Sequence, residues 1–151
     1  MSQDASALRP ATTLRLRVTY AEVDRMGFLH HSNHLRWLER GREEYCRRRA
    51  IGYRDLEDRG TLVVVVEASL QYKSPLRLDD EADLTVTLRT LRHASLEFSY
   101  TLRRIADGAL VATATTRHAL VSREGRVTRV TPELAALLEA PEAFRRLGEV
   151  G

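Results

Sequence analysis

One stretch of helical period stands among segments whose apolar residues alternate, and that contrast limits the folds open to the chain. Leu14, Leu16, Val18 and Tyr20 are apolar, with Arg15, Arg17 and Thr19 between them, the pattern of a half-buried strand. Leu84, Val86 and Leu88 repeat it, as do Leu96, Phe98, Tyr100 and Leu102. Leu62 to Val66 is an apolar run continued through Tyr72 and stopped by Pro75, and Leu110 to Val121 is a further long strand. Leu35 to Cys46 is spaced for a long helix, with a stripe of Leu35, Leu38, Tyr45 and Cys46 flanked by Trp37 and Gly41. Asp107-Gly108 and Glu124-Gly125 mark tight turns, and strands joined by short turns are antiparallel neighbours. The expected class is α+β: one long helix against a curled antiparallel sheet.

Finer expectations follow from the same pattern. Ser32 is placed to cap a helix running to about Ala50, after a loop from about Ala21 to His31. Arg42 falls inside the apolar stripe, so it must be paired or line a wet cavity. Gly41 predicts close approach by another backbone. A turn at Gly52 and a polar link lead to Gly60, and Thr131-Pro132-Glu133 opens a short helix through Leu138. Residues 1–12, polar and carrying Pro10, are expected to be a disordered tail, and residues 13–147 a single domain.

Composition excludes several function classes. With one cysteine, Cys46, the chain can form no internal disulfide and no cysteine-based zinc site; mid-helix on the stripe, that thiol reads as a small hydrophobe. No apolar run approaches a membrane span, and the first residues lack a signal peptide's basic start and apolar core. A cytoplasmic location is expected. The net charge of +3 is almost wholly arginine, Lys73 being the single lysine. Arginine suits phosphate, but the basic residues alternate with acidic ones, with no basic arm and no interleaved aromatics, so nucleic acid is not expected as a partner.

Polar chemistry concentrates in Glu22, Asp24, His30, His31, Ser32, Asn33 and His34. Three histidines in five residues invite a metal, but the acidic residue of a His-Glu-x-x-His motif is missing, and no metal is expected. Asp24 sits at the end of a strand, just before a helix start. The first N–H groups of a helix have no internal partner and favour negative charge. A carboxylate beside such donors can serve as nucleophile or base in acyl transfer while the amides hold an oxyanion. From spacing alone, an aspartate so placed is more often a turn or capping residue.

The stretch from Arg17 through Asp24, Gly27, His30, His31, Asn33 and Trp37 to Arg40 resembles the signature of the 4-hydroxybenzoyl-CoA thioesterase family. The resemblance continues through Tyr72-Lys73-Ser74-Pro75-Leu76-Arg77 and Arg92-His93-Ala94-Ser95, and covers about Leu14 to Leu138. It implies a hot-dog fold, an antiparallel sheet wrapped around one long central helix. It further implies a homo-oligomer, dimer or tetramer, with sites at the subunit interface. The implied activity is hydrolysis of an acyl-CoA thioester to free acid and coenzyme A, which enters as part of the substrate; no cofactor is implied.

The resemblance assigns catalysis to Asp24 and to the backbone N–H of His31. It assigns substrate contact to Gly27, His30 and Asn33, and to the turns of Lys73, Ser74 and Pro75 and of Arg92 and Ser95. Glu39 stands at an acidic helix position, with an expected ion pair to Arg42 or Arg36. His34 departs from the tyrosine usual there. Arg42 with Leu35-Arg36-Trp37 also resembles thioesterases that release polyketide chains, so acyl carrier protein is an alternative donor of the acyl chain. A non-catalytic acyl-CoA-binding module on the same fold is the remaining alternative.

Overall fold

A computed structural model describes residues 9–143. Its elements are β1 (Ala11–Arg17), α1 (His31–Arg47), α2 (Tyr53–Asp58), β2 (Leu62–Tyr72), β3 (Glu81–Leu91), β4 (Ser95–Arg104), β5 (Leu110–Val121) and α3 (Pro132–Leu138). The strands form one sheet in the order β1-β3-β4-β5-β2, antiparallel at every pairing. Strands β3, β4 and β5 are successive hairpins, and β2 returns to the edge beside β5. The α+β class and the hot-dog arrangement, a sheet curled over α1, are as expected.

Alternation decides which face is buried. Along β3 and β4 every second residue is buried, from Ala82 to Leu88 and from Leu96 to Leu102. Helix α1 lays Trp37, Leu38, Tyr45 and Cys46 on that face. Leu35, expected in the stripe, is instead 47% exposed, and Trp37, at 1%, occupies the centre. A Cβ on Gly41 would lie 2.7 Å from Val86 Cγ2 and 2.8 Å from Leu84 Cδ2. The close approach is real, but it is made by side chains of the sheet and not by a second backbone.

Several boundaries differ from expectation, each for a local reason. Strand β1 starts at Ala11, inside the segment read as tail, because its backbone pairs with β3 from Ala11↔Thr87 onward. The strand ends at Arg17, and Tyr20, 82% exposed, belongs to a 3-10 turn, Tyr20–Glu22. Glu22 Oε1 accepts from the Thr19 N–H at 2.9 Å and the Thr19 hydroxyl at 3.0 Å, and so turns the chain there. Helix α1 begins at His31, capped not by Ser32 but by His30, whose Nδ1 accepts from the Ser32 N–H at 3.2 Å. The link between Gly52 and Gly60 contains α2, held to the core by Leu56. Helix α3 is as expected, with the Thr131 hydroxyl accepting from the Leu134 N–H at 3.1 Å. Residues 1–8 and 144–151, where the expected tail and the end of the expected domain fall, lie outside the described residues.

Arg42 is paired, but with a phenol and not with Glu39. Its Nη1 donates to the Tyr100 hydroxyl at 3.1 Å, which lies 2.6 Å from Thr116 Oγ1, itself 2.8 Å from His118 Nε2. Burial and the Arg42 charge push the His118 imidazole down to about 4, from the ordinary 6.5. Across that interval the unfolded chain takes up a proton that the folded chain refuses. Stability is therefore fully present above the unfolded value and declines as pH falls through the interval. Urea midpoints measured across it should drop steadily, and His118→Gln should flatten the slope.

Candidate active site

The Asp24 loop is built from its own backbone. The Asp24 N–H donates to Phe28 O at 2.8 Å and the Gly27 N–H to Asp24 O at 3.0 Å. Gly27 adopts φ +83, a left-handed conformation suited to glycine. Asp24 Oδ1 accepts from the N–H groups of Met26, at 2.9 Å, and Phe28, at 3.1 Å. Oδ2 accepts nothing from the described residues. One oxygen thus fixes the side chain in the turn, and the other is unbonded among the described residues, so a turn role leaves one carboxylate oxygen open.

The loop is tied to α1 through Glu22. Its backbone carbonyl accepts from Asn33 Nδ2 at 2.8 Å and from the His30 N–H at 2.9 Å. Its carboxylate accepts from Trp37 Nε1 at 2.8 Å. Burial acts to raise the Glu22 pKa, but hydrogen bonds from Thr19 and Trp37 outweigh it and hold the group below its ordinary value. Glu22, one of the polar cluster in the sequence, thus positions the loop, and the capping-box spacing Thr19-x-x-Glu22 is the sequence signal for that role. Glu22→Ala should cost about 1–3 kcal/mol by leaving the indole N–H unpaired. Glu22→Gln, which keeps an acceptor, should cost less. Thermal unfolding of the two variants makes the comparison.

At the start of α1 the amides divide. The Ser32 N–H is taken by His30 Nδ1 and the Asn33 N–H by His30 O, at 2.9 Å. The His31 N–H has no partner among the described residues. It stands at the positive end of a 17-residue helix, where a developing negative charge is stabilised. The Tyr72 hydroxyl donates to His31 O at 2.9 Å, and the Tyr72 ring meets buried His34 edge-on at 4.8 Å. Burial lowers the His34 pKa. A tyrosine from β2 thus stands beside the histidine that departs from the family pattern, a pairing across 38 positions that spacing could not show.

The three histidines do not converge. His30 and His31 stack at 4.2 Å, but His30 Nδ1 is engaged with Ser32 and His34 Nδ1 lies 3.2 Å from His31 O. Among the described residues no group of three His, Cys, Asp or Glu is placed to hold a metal.

The turn after β2 reaches this loop, because the Leu29 N–H donates to Leu76 O at 2.7 Å and Phe28 bridges Arg77. Lys73 and Pro75 are exposed near it, while the Ser74 hydroxyl is committed to Leu110 O at 2.8 Å. Arg77, not singled out from sequence, lies over the Phe28 ring at 4.6 Å. Arg92 and Ser95 do not join the cluster within one chain. They close the hairpin at the far end of β3, roughly 30 Å away at about 3.3 Å per strand residue. A groove lined by Asp55, Arg59, Arg129 and Glu133 over Leu56 and Leu134 also lies at that distant pole.

Comparison with known proteins adds identity to this geometry. The sequence pattern of the family described as the thioesterase-like superfamily matches residues 18–145. A protein of Aquifex aeolicus (strain VF5), provisionally named an esterase, is 33% identical over 125 residues, 83% of this chain and 95% of its own. One from Bacillus subtilis (strain 168), provisionally named acyl-CoA thioesterase YneP, is 32% identical over 72% of this chain and 78% of its own. The solved 4-hydroxybenzoyl-CoA thioesterase of Pseudomonas sp. strain CBS-3 superposes with a TM-score of 0.78 at 18% identity, covering 85% of this chain and 99% of that one. This last likeness is one of fold.

Proposed function

The chain belongs to the thioesterase-like superfamily, and on that premise we propose that it hydrolyses acyl-CoA thioesters to a carboxylic acid and free coenzyme A. The observation that carries the reading is that, among the described residues, one Asp24 carboxylate oxygen and the His31 N–H at a helix start both lack a partner, on a loop and helix start tied together through Glu22. In this reading the thioester carbonyl oxygen accepts from the His31 N–H, and charge gathering on it in the transition state is stabilised there. Asp24 Oδ2 either removes a proton from an attacking water or attacks the carbonyl itself, giving an anhydride that water opens. In both cases the C–S bond breaks and the thiolate leaves with a proton. Label appearing in Asp24 after a single turnover in ¹⁸O-water would establish the anhydride route with water attacking the aspartyl carbonyl, since the general-base route places the label in the product acid alone.

Gly27, His30 and Asn33 hold or border the acyl thioester in this reading, and the exposed Lys73–Pro75 turn receives the pantetheine arm. Arg92 and Ser95 contribute only from a second copy of the chain. Strand β2 supports a homo-oligomer. It is an edge strand with Val65 51%, Val66 48% and Tyr72 51% exposed, and an open apolar edge is a template for pairing.

The test is free-thiol release from short, long and aromatic acyl-CoA esters by the full chain. Release from at least one class is expected. Silence with CoA esters but turnover of acyl carrier protein thioesters would reassign the donor. Binding of acyl-CoA without turnover of either would leave a binding module.

A further inference from the structure

We infer that Tyr72 is a positioning residue of the proposed reaction: its hydroxyl locks the start of α1 so that the His31 N–H stays aimed at the thioester oxygen. The inference rests on the thioesterase reading and adds to that site a residue 41 positions from His31, on the edge strand β2. Among the described residues it is the one sheet side chain that hydrogen-bonds to the backbone where α1 begins. The donor in question belongs to the peptide group between His30 and His31. The chain turns there from extended, with His30 at φ −63° and ψ 138°, into the helix, so no regular backbone ladder sets the direction of this N–H. Helix ends also fray, and a donor on the first residue of an untied helix is spread over many orientations.

The ties around this peptide group say what holds it. It can swing only if the dihedrals of His30 and His31 turn, and such a swing carries the neighbouring peptide groups with it. Both neighbours are fastened. On one side the His30 N–H donates to Glu22 O at 2.9 Å. On the other the Tyr72 hydroxyl donates to His31 O at 2.9 Å. The carbonyl of the donor's own peptide group, His30 O, accepts from the Asn33 N–H at 2.9 Å, and a hydrogen bond to a carbonyl polarises the amide behind it. Support of the fold accounts for the Tyr72 ring, which covers buried His34 edge-on at 4.8 Å, but not for its hydroxyl. The side chain is half exposed, and a hydrogen bond there replaces one to water with little net gain. Phenylalanine would cover His34 as well. His34 Nδ1 lies 3.2 Å from the same His31 oxygen. A carbonyl only accepts, so the His34 proton belongs on Nδ1, and two side chains hold one oxygen beside the free N–H.

Tyr72→Phe in the full chain keeps the ring and removes the hydroxyl alone. Thiol release is measured with acetyl-, octanoyl- and benzoyl-CoA, or with octanoyl carrier protein if only carrier thioesters turn over. On an ester the wild type hydrolyses, the variant should lower kcat about tenfold, a part of the roughly 10²- to 10³-fold carried by a whole oxyanion donor. KM should stay where it was, because the loss falls on the transition state. Tm should move by about 2 °C or less, as for one exposed hydrogen bond. Tyr72→para-aminophenylalanine, which returns a donor to the same place, should recover most of kcat. The aim of the N–H is read directly in the infrared: with the hydrolysed ester, carbonyl-¹³C-labelled, bound to Asp24→Asn, adding Tyr72→Phe should move the thioester carbonyl band to higher frequency. An unchanged kcat or an unmoved band overturns the inference. So does a loss confined to KM, which would make Tyr72 a substrate contact. A fall in kcat that comes with a large loss of Tm and is not recovered by the amino analogue makes Tyr72 a support of the fold, and overturns it too. In each of those cases wild-type turnover leaves the thioesterase reading standing. If the wild type hydrolyses no CoA or carrier-protein ester of any kind, that reading fails and takes the inference with it.

Discussion

Asp24→Asn is expected to lower acyl-CoA thiol release by about 10²- to 10⁴-fold, the range for removing a positioned proton acceptor or nucleophile. The fold should be untouched. Asparagine retains an Oδ1 that can accept from Met26 and Phe28 as Asp24 does now, so the loop keeps its shape while the reactive oxygen becomes an amide nitrogen. Asp24→Ala differs in kind, because it removes both loop bonds and should lower stability as well as turnover. Steady-state thiol release beside thermal unfolding distinguishes the two variants. Turnover by Asp24→Asn within a few-fold of wild type would sink the assignment of Asp24.

The largest stability effect is expected far from the site, at Arg49→Met. Arg49 is 1% exposed and clamps three segments. Its Nε donates to Ala140 O at 2.8 Å, Nη1 to Thr12 Oγ1 at 2.7 Å and Tyr45 O at 3.0 Å, and Nη2 to Ala11 O at 3.1 Å. Its guanidinium also lies 3.6 Å above the Tyr45 ring. Methionine fills part of the volume and satisfies none of those acceptors. A loss of about 3–5 kcal/mol is expected, as for breaking a buried charged network, or roughly 6–20 °C in Tm for a chain of this size. A shift within a degree or two would mean that water or rearranged chain replaces the clamp.

Arg49 also shows where sequence reading stops. It lies just beyond the helical stripe in a run of three arginines, and nothing local separates it from exposed Arg47. Its acceptors lie some 37 positions back and 91 positions ahead. Arg42 was better placed for inference, because a charge inside an apolar stripe demands a partner. That the partner is Tyr100, and not nearby Glu39, depends on how β4 packs under α1. His30 was visible as polar, yet its capping role turns on the ring's rotamer, whereas Ser32 had the composition of a cap without the geometry.

The division follows from range. Period-two and helical patterns record which face of each element is buried, and short turns record the β3-β4-β5 hairpins, so the succession of elements, the central helix and the α+β class were legible from residues alone, whereas the pairing of β1 with β3 and of β2 with β5 was not. The loop of Asp24 and Gly27 was legible as well, since a tight turn before a helix start is a local event of a few residues. Tertiary structure alone decided that Tyr72 meets His31 and His34, and that Arg92 and Ser95 sit at the opposite pole from Asp24. It alone buried Arg42 between α1 and the sheet, against Tyr100. Those relations join residues tens of positions apart through packing of side chains against one another, and no periodicity along the chain encodes which of many similar side chains will meet.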